Sequence, residues 1–554
     1  MMLRRLAALA ALGVSACTTV PTQRVATPVE VQILAFNDFH GNLETPPPVD
    51  VVDDHGIKRT ITSGGAAHLA SALTRLRAGH PDTVTVSAGD TIGASPLISA
   101  NYLDEPTIDA MNLLGLEFNA VGNHEFDKGV AELKRMQSGG CAKNTRRVPC
   151  AIEPFAGARF RYLAANVVQA DGTTVFPATG IKRFATPAGP ITIGFIGMTL
   201  KGTKQLVTPS GVEGVTFTDE AETANALVPK LKAEGADTVV LLIHQGGKLP
   251  QFTTGNGCDG LYGEILPILP KLDPAIATVI SGHSHWAYVC RGSQQVARRL
   301  LTSAGKYGYF VTDLRLRFDP SSHRLIGEDA TNVVVGNGER GDDFAVKSLV
   351  GKYEAAVAPV ANQVIGRLTA TAAKNDDESE GPAADLVADS MLAATSAQIA
   401  LVNATGIRVD LPGGDVRYKD AFTMMPFGNN LVVMSLTGAQ LKGVLEQQYS
   451  VPLRPKKTLP AALAPSAGFT YAVDVKRPEG GRVSDMQLNG KSIDPAVSYR
   501  VVVNNYMASG GDGLTGFTTG TDVTDTGIID LEALVAWIAK GQTPPTPNRI
   551  RFTP

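Results

Sequence analysis

Gly122-Asn123-His124-Glu125-Phe126-Asp127 follows a short run of strand character at 118–121, and the reading of this junction decides the fold. The same theme, a short β-branched or apolar run and then a polar turn, recurs on both sides of it. Residues 31–36 precede Asn37-Asp38-Phe39-His40, and 83–87 precede Ala88-Gly89-Asp90. Further along, 238–243 precede His244, and 276–280 precede Ser281-Gly282-His283-Ser284-His285. Between these runs, 66–76, 107–114 and 220–233 carry the three-to-four-residue apolar spacing of helices. Strands alternating with helices predict a layered α/β domain. Polar residues at the carboxyl ends of its strands define one shared edge, where open α/β sheets bind ligands.

Five of the nine histidines fall on these turns, together with Asp38, Asp90 and Asn123. Taken singly, each Asp or Asn could be a helix cap. Collected at successive strand ends, they form a set of oxygen and nitrogen donors. Imidazole with carboxylate suits Zn, Mn, Fe or Co. A bridging carboxylate can hold two ions ~3.5–4 Å apart, the geometry that clamps attacking and leaving oxygens in hydrolysis. His55, His68, His80 and His323 sit on no such turn and are expected at the surface or satisfied in the core.

With 554 residues, 44% hydrophobic and 19% charged, the chain is long enough for two or three domains and too apolar to be disordered. Its net charge of -3 gives no field for a nucleic-acid polymer. At 336–343 a polar, Gly-rich break is followed by a helix expected over 344–357 that stops before Pro359. Beyond it, helices are expected at 382–394, 439–447 and 531–539, and strands at 400–403, 431–436 and 499–503, with a Pro- and Ala-rich loop at 451–467.

The first seventeen residues pair Arg4 and Arg5 with an apolar run of nine, which is too short to span a bilayer and reads as an export signal. Val14-Ser15-Ala16-Cys17 resembles a lipobox, which makes Cys17 the acylated first residue, and 18–29 then read as a tether; an unlipidated secretory signal is the alternative. Removing Arg4 and Arg5 shifts the balance to 48 basic against 53 acidic residues, net -5. In an oxidising compartment the sequence-local pairs Cys141–Cys150 and Cys258–Cys290 are the economical choice among three connectivities. Zinc binding by these cysteines lacks any C-x-x-C spacing.

The motifs NDFHGN, GD, GNHEFD, a strand-final His and GHSH, in this order, resemble the calcineurin-like metallophosphoesterases. NATGIR (403–408), MPFGN (425–429) and NYMASGGDG (505–513) are similar to the carboxy-terminal domain of the bacterial 5′-nucleotidase and UDP-sugar hydrolase family. The resemblance implies two sheets flanked by helices over 30–340, a linker helix over 341–362 and a substrate-binding α/β domain over 363–554. It implies one ion held by Asp38, His40, Asp90 and His285, and a second by Asp90, Asn123, His244 and His283, with Zn, Mn or Co as the expected metals. A metal-held water or hydroxide would then attack phosphorus in line. His124 would stabilise the transition state or protonate the leaving oxygen, oriented by Asp127, for which helix capping is the alternative.

By the same resemblance Arg408 contacts phosphate, Phe427 and Tyr506 stack on the base, and Asn403 and Asp512 face the base or ribose, with Asn123 also near the substrate. A core role for Phe427 and a surface ion pair for Arg408 are the plainer alternatives. One departure stands out: Ser379 and Asp385 occupy places where the family carries arginines, and no Arg lies between Arg367 and Arg408. The expected activity is that of an exported 5′-nucleotidase, a phosphoric monoester hydrolase that releases nucleoside and phosphate. The alternatives are hydrolysis of UDP-sugars, NAD or 2′,3′-cyclic nucleotides, and lastly a non-catalytic nucleotide-binding lipoprotein. A monomer in the periplasm or cell envelope is expected, and Thr18 after the cysteine leans toward an outer-membrane anchor.

Overall fold

The first strand, Val29–Phe36, is buried on both faces from Val31 onward and sets the layering of the amino-terminal half in the computed structural model. The model describes residues 27–53, 56–336, 343–374, 380–449 and 463–553. Val31, Ile33 and Ala35 point to one side, into a core shared with Ile191, Ile193, Phe195, Val240 and Leu242 of a second sheet. Leu34 and Phe36 point to the other side, onto Leu69, Leu73, Ile108 and Met111 of two covering helices. Side chains alternate across a strand, so one stretch of sequence feeds two apolar layers.

The first six-stranded sheet runs Leu325–Val334, Phe310–Phe318, Val29–Phe36, Thr83–Ser87, Phe118–Ala120, Arg161–Leu163. The second runs Ala287–Arg291, Leu300–Ala304, Ile276–Ser281, Thr238–His244, Gly189–Thr199, Thr179–Thr186. Parallel pairing sets Phe36 beside Ser87, Ser87 beside Asn119, and Ile243 beside Ser281. The strands therefore end together, and the turns that follow them meet on one edge. Helix Glu220–Ala233 starts at Asp219, whose side chain accepts from the Ala221 and Glu222 N–H groups. It covers the outer face of the second sheet through Ala224, Val228 and Leu231.

Helix Phe344–Ala361 runs through Pro359 rather than stopping before it. The missing proline N–H costs one hydrogen bond in the last two turns, where Val357 and Ala361 are nonetheless buried. The helix is no free spacer. Val346, Val350 and Tyr353 pack in the same cluster as Ile108 and Met111, and Tyr353 meets Tyr102 edge-on with centroids 5.1 Å apart. That cluster continues into Leu368, Leu386 and Leu534 of the carboxy-terminal half.

There a five-stranded sheet runs Leu463–Pro465, Ile399–Asn403, Ser498–Asn504, Asn430–Thr437, Thr521–Ile529. Helices Pro382–Ala394 and Asp530–Ile538 lie on one face. Helix Gly438–Gln447 and a four-stranded sheet from Phe469–Val473, Val483–Leu488, Lys491–Ser492 and Ile550–Phe552 lie on the other. The described residues are thus α/β in both halves. The leader, Cys17, most of the tether, the break at 337–342, Ser379 and most of the loop at 451–467 lie outside the described residues. Among the described residues, no helix is long and apolar enough to cross a membrane.

Candidate metal centre and substrate cleft

The strand ends bring the predicted donors together in two groups: Asp38 with His40 and His285, and Asp90 with His244 and His283. His40 Nε2 faces His285 Nε2 at 3.0 Å, and His285 Nε2 lies 3.4 Å from Asp38 Oδ1. Asp90 Oδ2 lies 2.9 Å from His244 Nε2 and 3.7 Å from His40 Nε2, so this one carboxylate addresses both groups. Asn123 Oδ1 sits 3.0 Å from His283 Nδ1, beside the second group. Donors bound ~2.1 Å from one ion stand ~3.0–3.4 Å apart, so these separations suit shared cations.

Two further observations test the fit. The buried Nε2 of His244 has no hydrogen-bond partner; Asp90 Oδ2 is close enough for an ion pair but does not meet the alignment of a hydrogen bond. Its other nitrogen is held by the Ala88 carbonyl at 2.8 Å, as His40 Nδ1 is held by that of Gly93 at 2.9 Å. Such outer contacts aim the remaining ring nitrogen at an ion. Second, Asp38, His40, Asp90, His283 and His285 all hold positive φ, between 49° and 69°. Non-glycine residues pay ~1–3 kcal/mol each for sparsely populated backbone, which persists where surrounding structure enforces it.

Burial dominates the electrostatics of this edge. It holds the His40 and His283 rings down to about 3 and the His285 ring well below its usual range, so all three are neutral, as ligands must be. Burial also raises the two carboxyls, but the effects of neighbours split them. Asp90 is pulled well below the usual range by the adjacent His244 and His124 rings, while Asp38 rises to about 7 despite His244. Although burial opposes its charge, His244 is lifted to about 9 by Asp90.

His124 stands at the rim. Its Nδ1 is 3.0 Å from both oxygens of Asp127, which also accepts the Ala94 N–H at 3.0 Å. Burial lowers the ring's pKa, but Asp127 and then Asp90 outweigh it, and the net shift is upward. With Nδ1 engaged by Asp127, Nε2 is the atom left to act.

The carboxy-terminal half closes over this rim. A cleft of about 180 Å³, open to solvent, is lined by Asn123, His124, Asp127 and His283 on one side and by Asn403, Phe427, Tyr506 and Asp512 on the other. The Phe427 ring lies nearly parallel to His124 with centroids 6.0 Å apart, and the Arg408 guanidinium sits 5.7 Å over the same ring. Arg408 is half-buried and close enough to lower the pKa values of His40, His124 and His285, although it does not line the cleft itself. Asp512 ties the wall together: its Oδ2 accepts from Asn403 Nδ2 and Thr405 Oγ1, both at 2.9 Å, and its Oδ1 lies 2.8 Å from the Tyr506 hydroxyl. The Tyr506 hydroxyl also lies 2.9 Å from the Gln205 carbonyl of the amino-terminal half.

Asp385 is elsewhere. It is buried inside the carboxy-terminal half, 3.8 Å from Arg549, and does not line the cleft. The disulfides Cys141–Cys150 and Cys258–Cys290 span Cα distances of 5.5 and 5.0 Å. Sequence reasoning missed Leu206, Val207 and Thr208, which line the cleft from an irregular segment, and it also missed Thr405 and Asn504. Thr405 sits within the quoted NATGIR motif and Asn504 directly before NYMASGGDG, so a signal existed for these two. The irregular segment offered none.

Comparison with known proteins agrees with this geometry. The family profile described as calcineurin-like phosphoesterase matches residues 31–287, and the one described as 5′-nucleotidase, C-terminal domain, matches 359–519. The chain is 28% identical over 528 residues to the endonuclease YhcR of Bacillus subtilis, covering 93% of this chain but 40% of that protein. It is 48% identical over 175 residues to an uncharacterised protein encoded in the pqq-V 5′ region of Acinetobacter calcoaceticus, covering 30% of this chain and 84% of that one. The crystal structure of a 5′-nucleotidase precursor from Thermus thermophilus superposes with a TM-score of 0.74 at 26% identity, over 95% of this chain and 99% of that one. Donor edge, cleft and matches concur: the chain belongs to the calcineurin-like phosphoesterases that carry a 5′-nucleotidase carboxy-terminal domain, a family of phosphoester hydrolases.

Proposed function

We propose that this protein is an exported, metal-dependent 5′-nucleotidase that hydrolyses nucleoside 5′-phosphates to nucleoside and phosphate. The observation that carries this reading is the single cleft shared by His124 and His283 of the donor edge and by Phe427, Tyr506 and Asp512 of the opposite wall. Asp38, His40, Asp90 and His285 would hold one divalent ion, and Asp90, Asn123, His244 and His283 the other. When bound, the ions would supply Lewis acidity to the phosphoryl oxygens and make water a competent nucleophile near neutral pH.

The chain's own residues do the rest. Tyr506 and Phe427 offer ring faces to a base, whose identity matters little to stacking. Asn403 and Asp512 present hydrogen-bonding groups to base or ribose, and Arg408 offers a guanidinium to phosphate. His124, with Asp127 holding its Nδ1, keeps a proton at Nε2 for the ester oxygen. As the P–O bond breaks, that oxygen takes the proton and departs as the nucleoside hydroxyl. The division into a catalytic domain over 30–340, a helix over 341–362 and a substrate domain over 363–554 belongs to this reading. So does a lipid anchor at Cys17, which supports placement in the cell envelope. Labelled palmitate incorporated by wild type and not by Cys17→Ala checks the anchor.

One observation favours a second reading. Among the described residues, no Lys or Arg lines the cleft, which suits esters carrying less charge than a phosphate dianion: UDP-sugars, NAD or 2′,3′-cyclic nucleotides. A phosphate-release panel on metal-free and metal-restored protein separates the two. AMP should release phosphate only after Zn, Mn or Co is restored. If AMP is inert while UDP-glucose, NAD or a cyclic nucleotide turns over, the second reading replaces the first. If AMP binds and nothing turns over, the protein is a nucleotide-binding lipoprotein and not an enzyme.

A further inference from the structure

We infer that Glu125 is a positioning residue for the donor edge, clasping the loop that carries the shared carboxylate Asp90 to the loop that carries Asn123 and His124. The inference rests on the metal-dependent reading above but concerns a side chain outside both donor groups.

Glu125 is buried, and its carboxylate is used up by main-chain donors. Oε2 accepts from Asp90 N at 2.9 Å and Gly122 N at 2.7 Å. Oε1 accepts from Thr91 N at 2.8 Å and, more distantly, Ile92 N at 3.5 Å. The donors come from two different loops, which follow the parallel neighbours Thr83–Ser87 and Phe118–Ala120. Past the strand ends no ladder holds these loops in register, and the Glu125 carboxyl takes that role through its main-chain hydrogen bonds.

The loops press closely together. A Cβ at Gly122 would fall 2.2 Å from Asp90 Oδ1 and 2.6 Å from Asp90 N, so Gly122 lies directly against both the main chain and the side chain of Asp90. Across it, His124 N donates to Asp90 Oδ1 at 2.9 Å. Asp90 is therefore gripped at its amide by Glu125 and at one oxygen by the amide of His124. Its Oδ2 is what remains for His244 and His40. Releasing the Glu125 clasp frees the amide grip and lets the two donor groups drift relative to each other.

Manganese titration of the full-length protein, followed by electron paramagnetic resonance, tests this. Wild type should bind two Mn²⁺ per chain and give an exchange-coupled spectrum. Glu125→Gln presents an amide N–H₂ to half of these donors, and Glu125→Asp keeps the carboxyl but withdraws it by one methylene. In both, the second Mn²⁺ should bind ~10–100-fold more weakly, the range seen when an outer partner of a ligand is lost. The coupled signal should fade with it, while unfolding stays cooperative by circular dichroism. Two ions bound with wild-type affinity and wild-type coupling in both variants would overturn the inference, whatever their melting temperatures. Failure of both variants to fold also overturns it, assigning Glu125 to the fold alone. Wild type that binds no manganese defeats the metal-dependent reading instead, a result separate from any difference between wild type and variants.

Discussion

The donor edge and the opposite wall of the cleft hold their functional residues in different ways. On the edge, Asp38, His40, Asp90, Asn123 and His244 are buried, and three of these five sit in left-handed backbone dictated by where parallel strands end. On the wall, Phe427, Tyr506 and Asp512 are half-buried, and side-chain hydrogen bonds join Asp512 to Tyr506 and Asn403. Strain and burial buy the edge a fixed geometry for charge. The wall keeps side chains that can be exchanged one at a time, which is how a shared chemistry comes to serve different substrates.

This contrast can be attacked directly, beginning where the effect is largest. His124→Ala should lower kcat by ~10²–10⁴-fold, the usual worth of a positioned acid or base, while metal content by elemental analysis stays at the wild-type level. A parallel loss of metal would mean that His124 belongs to the donor set and that edge and rim are not separable.

Tyr506→Ala should act on the wall alone. Stacking worth ~1–3 kcal/mol per base predicts a rise in KM for AMP of roughly tenfold with kcat nearly unchanged. Tyr506→Phe should recover most of it. A fall in kcat of similar size would show instead that the hydroxyl's contact with Gln205 shapes the catalytic rim.

The smallest expected effect compares two buried carboxyls. Asp90 lies among imidazoles and stays ionised, whereas Asp385 has neither side-chain oxygen hydrogen-bonded. Burial raises Asp385 to about 9, against the pull of Arg549 and with the push of Glu380; Asp389 adds to that push. Its folded pKa lies above the value of 3.8 for an ordinary aspartate, so the native state keeps a proton that the unfolded chain releases. Stability is then fully present below about pH 4 and declines as pH rises toward 9. Asp385→Asn should raise Tm at pH 8, with the gain vanishing near pH 4. A variant that melts lower at pH 8 would show that the Arg549 pair outweighs the burial of charge.

Much of the edge was legible because its signal is local. Each donor directly follows a β-branched run, and the helix over 220–233 falls where its apolar spacing put it, behind the cap at Asp219. The long helix running through Pro359 was not legible. Local propensity disfavours it, and the burial of Val357 and Ala361 in the apolar cluster that joins the two halves offsets that cost. The four-stranded sheet beneath helix Gly438–Gln447 was also missed: one of its strands has two residues, too short to show a period, and another, Ile550–Phe552, comes from a distant segment. Asp385 shows the same limit in reverse. Sequence position suggested that it faced the substrate, while packing turned it toward Arg549.

The sequence by itself determined the donor types and their order along the chain, the α/β layering and the identity of the second half. Each of these is written in neighbouring residues whose spacing carries the chemistry. Tertiary structure alone decided that Asp90 faces both donor groups, that Phe427 lies over His124, and that Leu206 to Thr208 complete the cleft. Those contacts join residues tens to hundreds of positions apart. They depend on strand register and on how the two halves pack, and no local pattern encodes either.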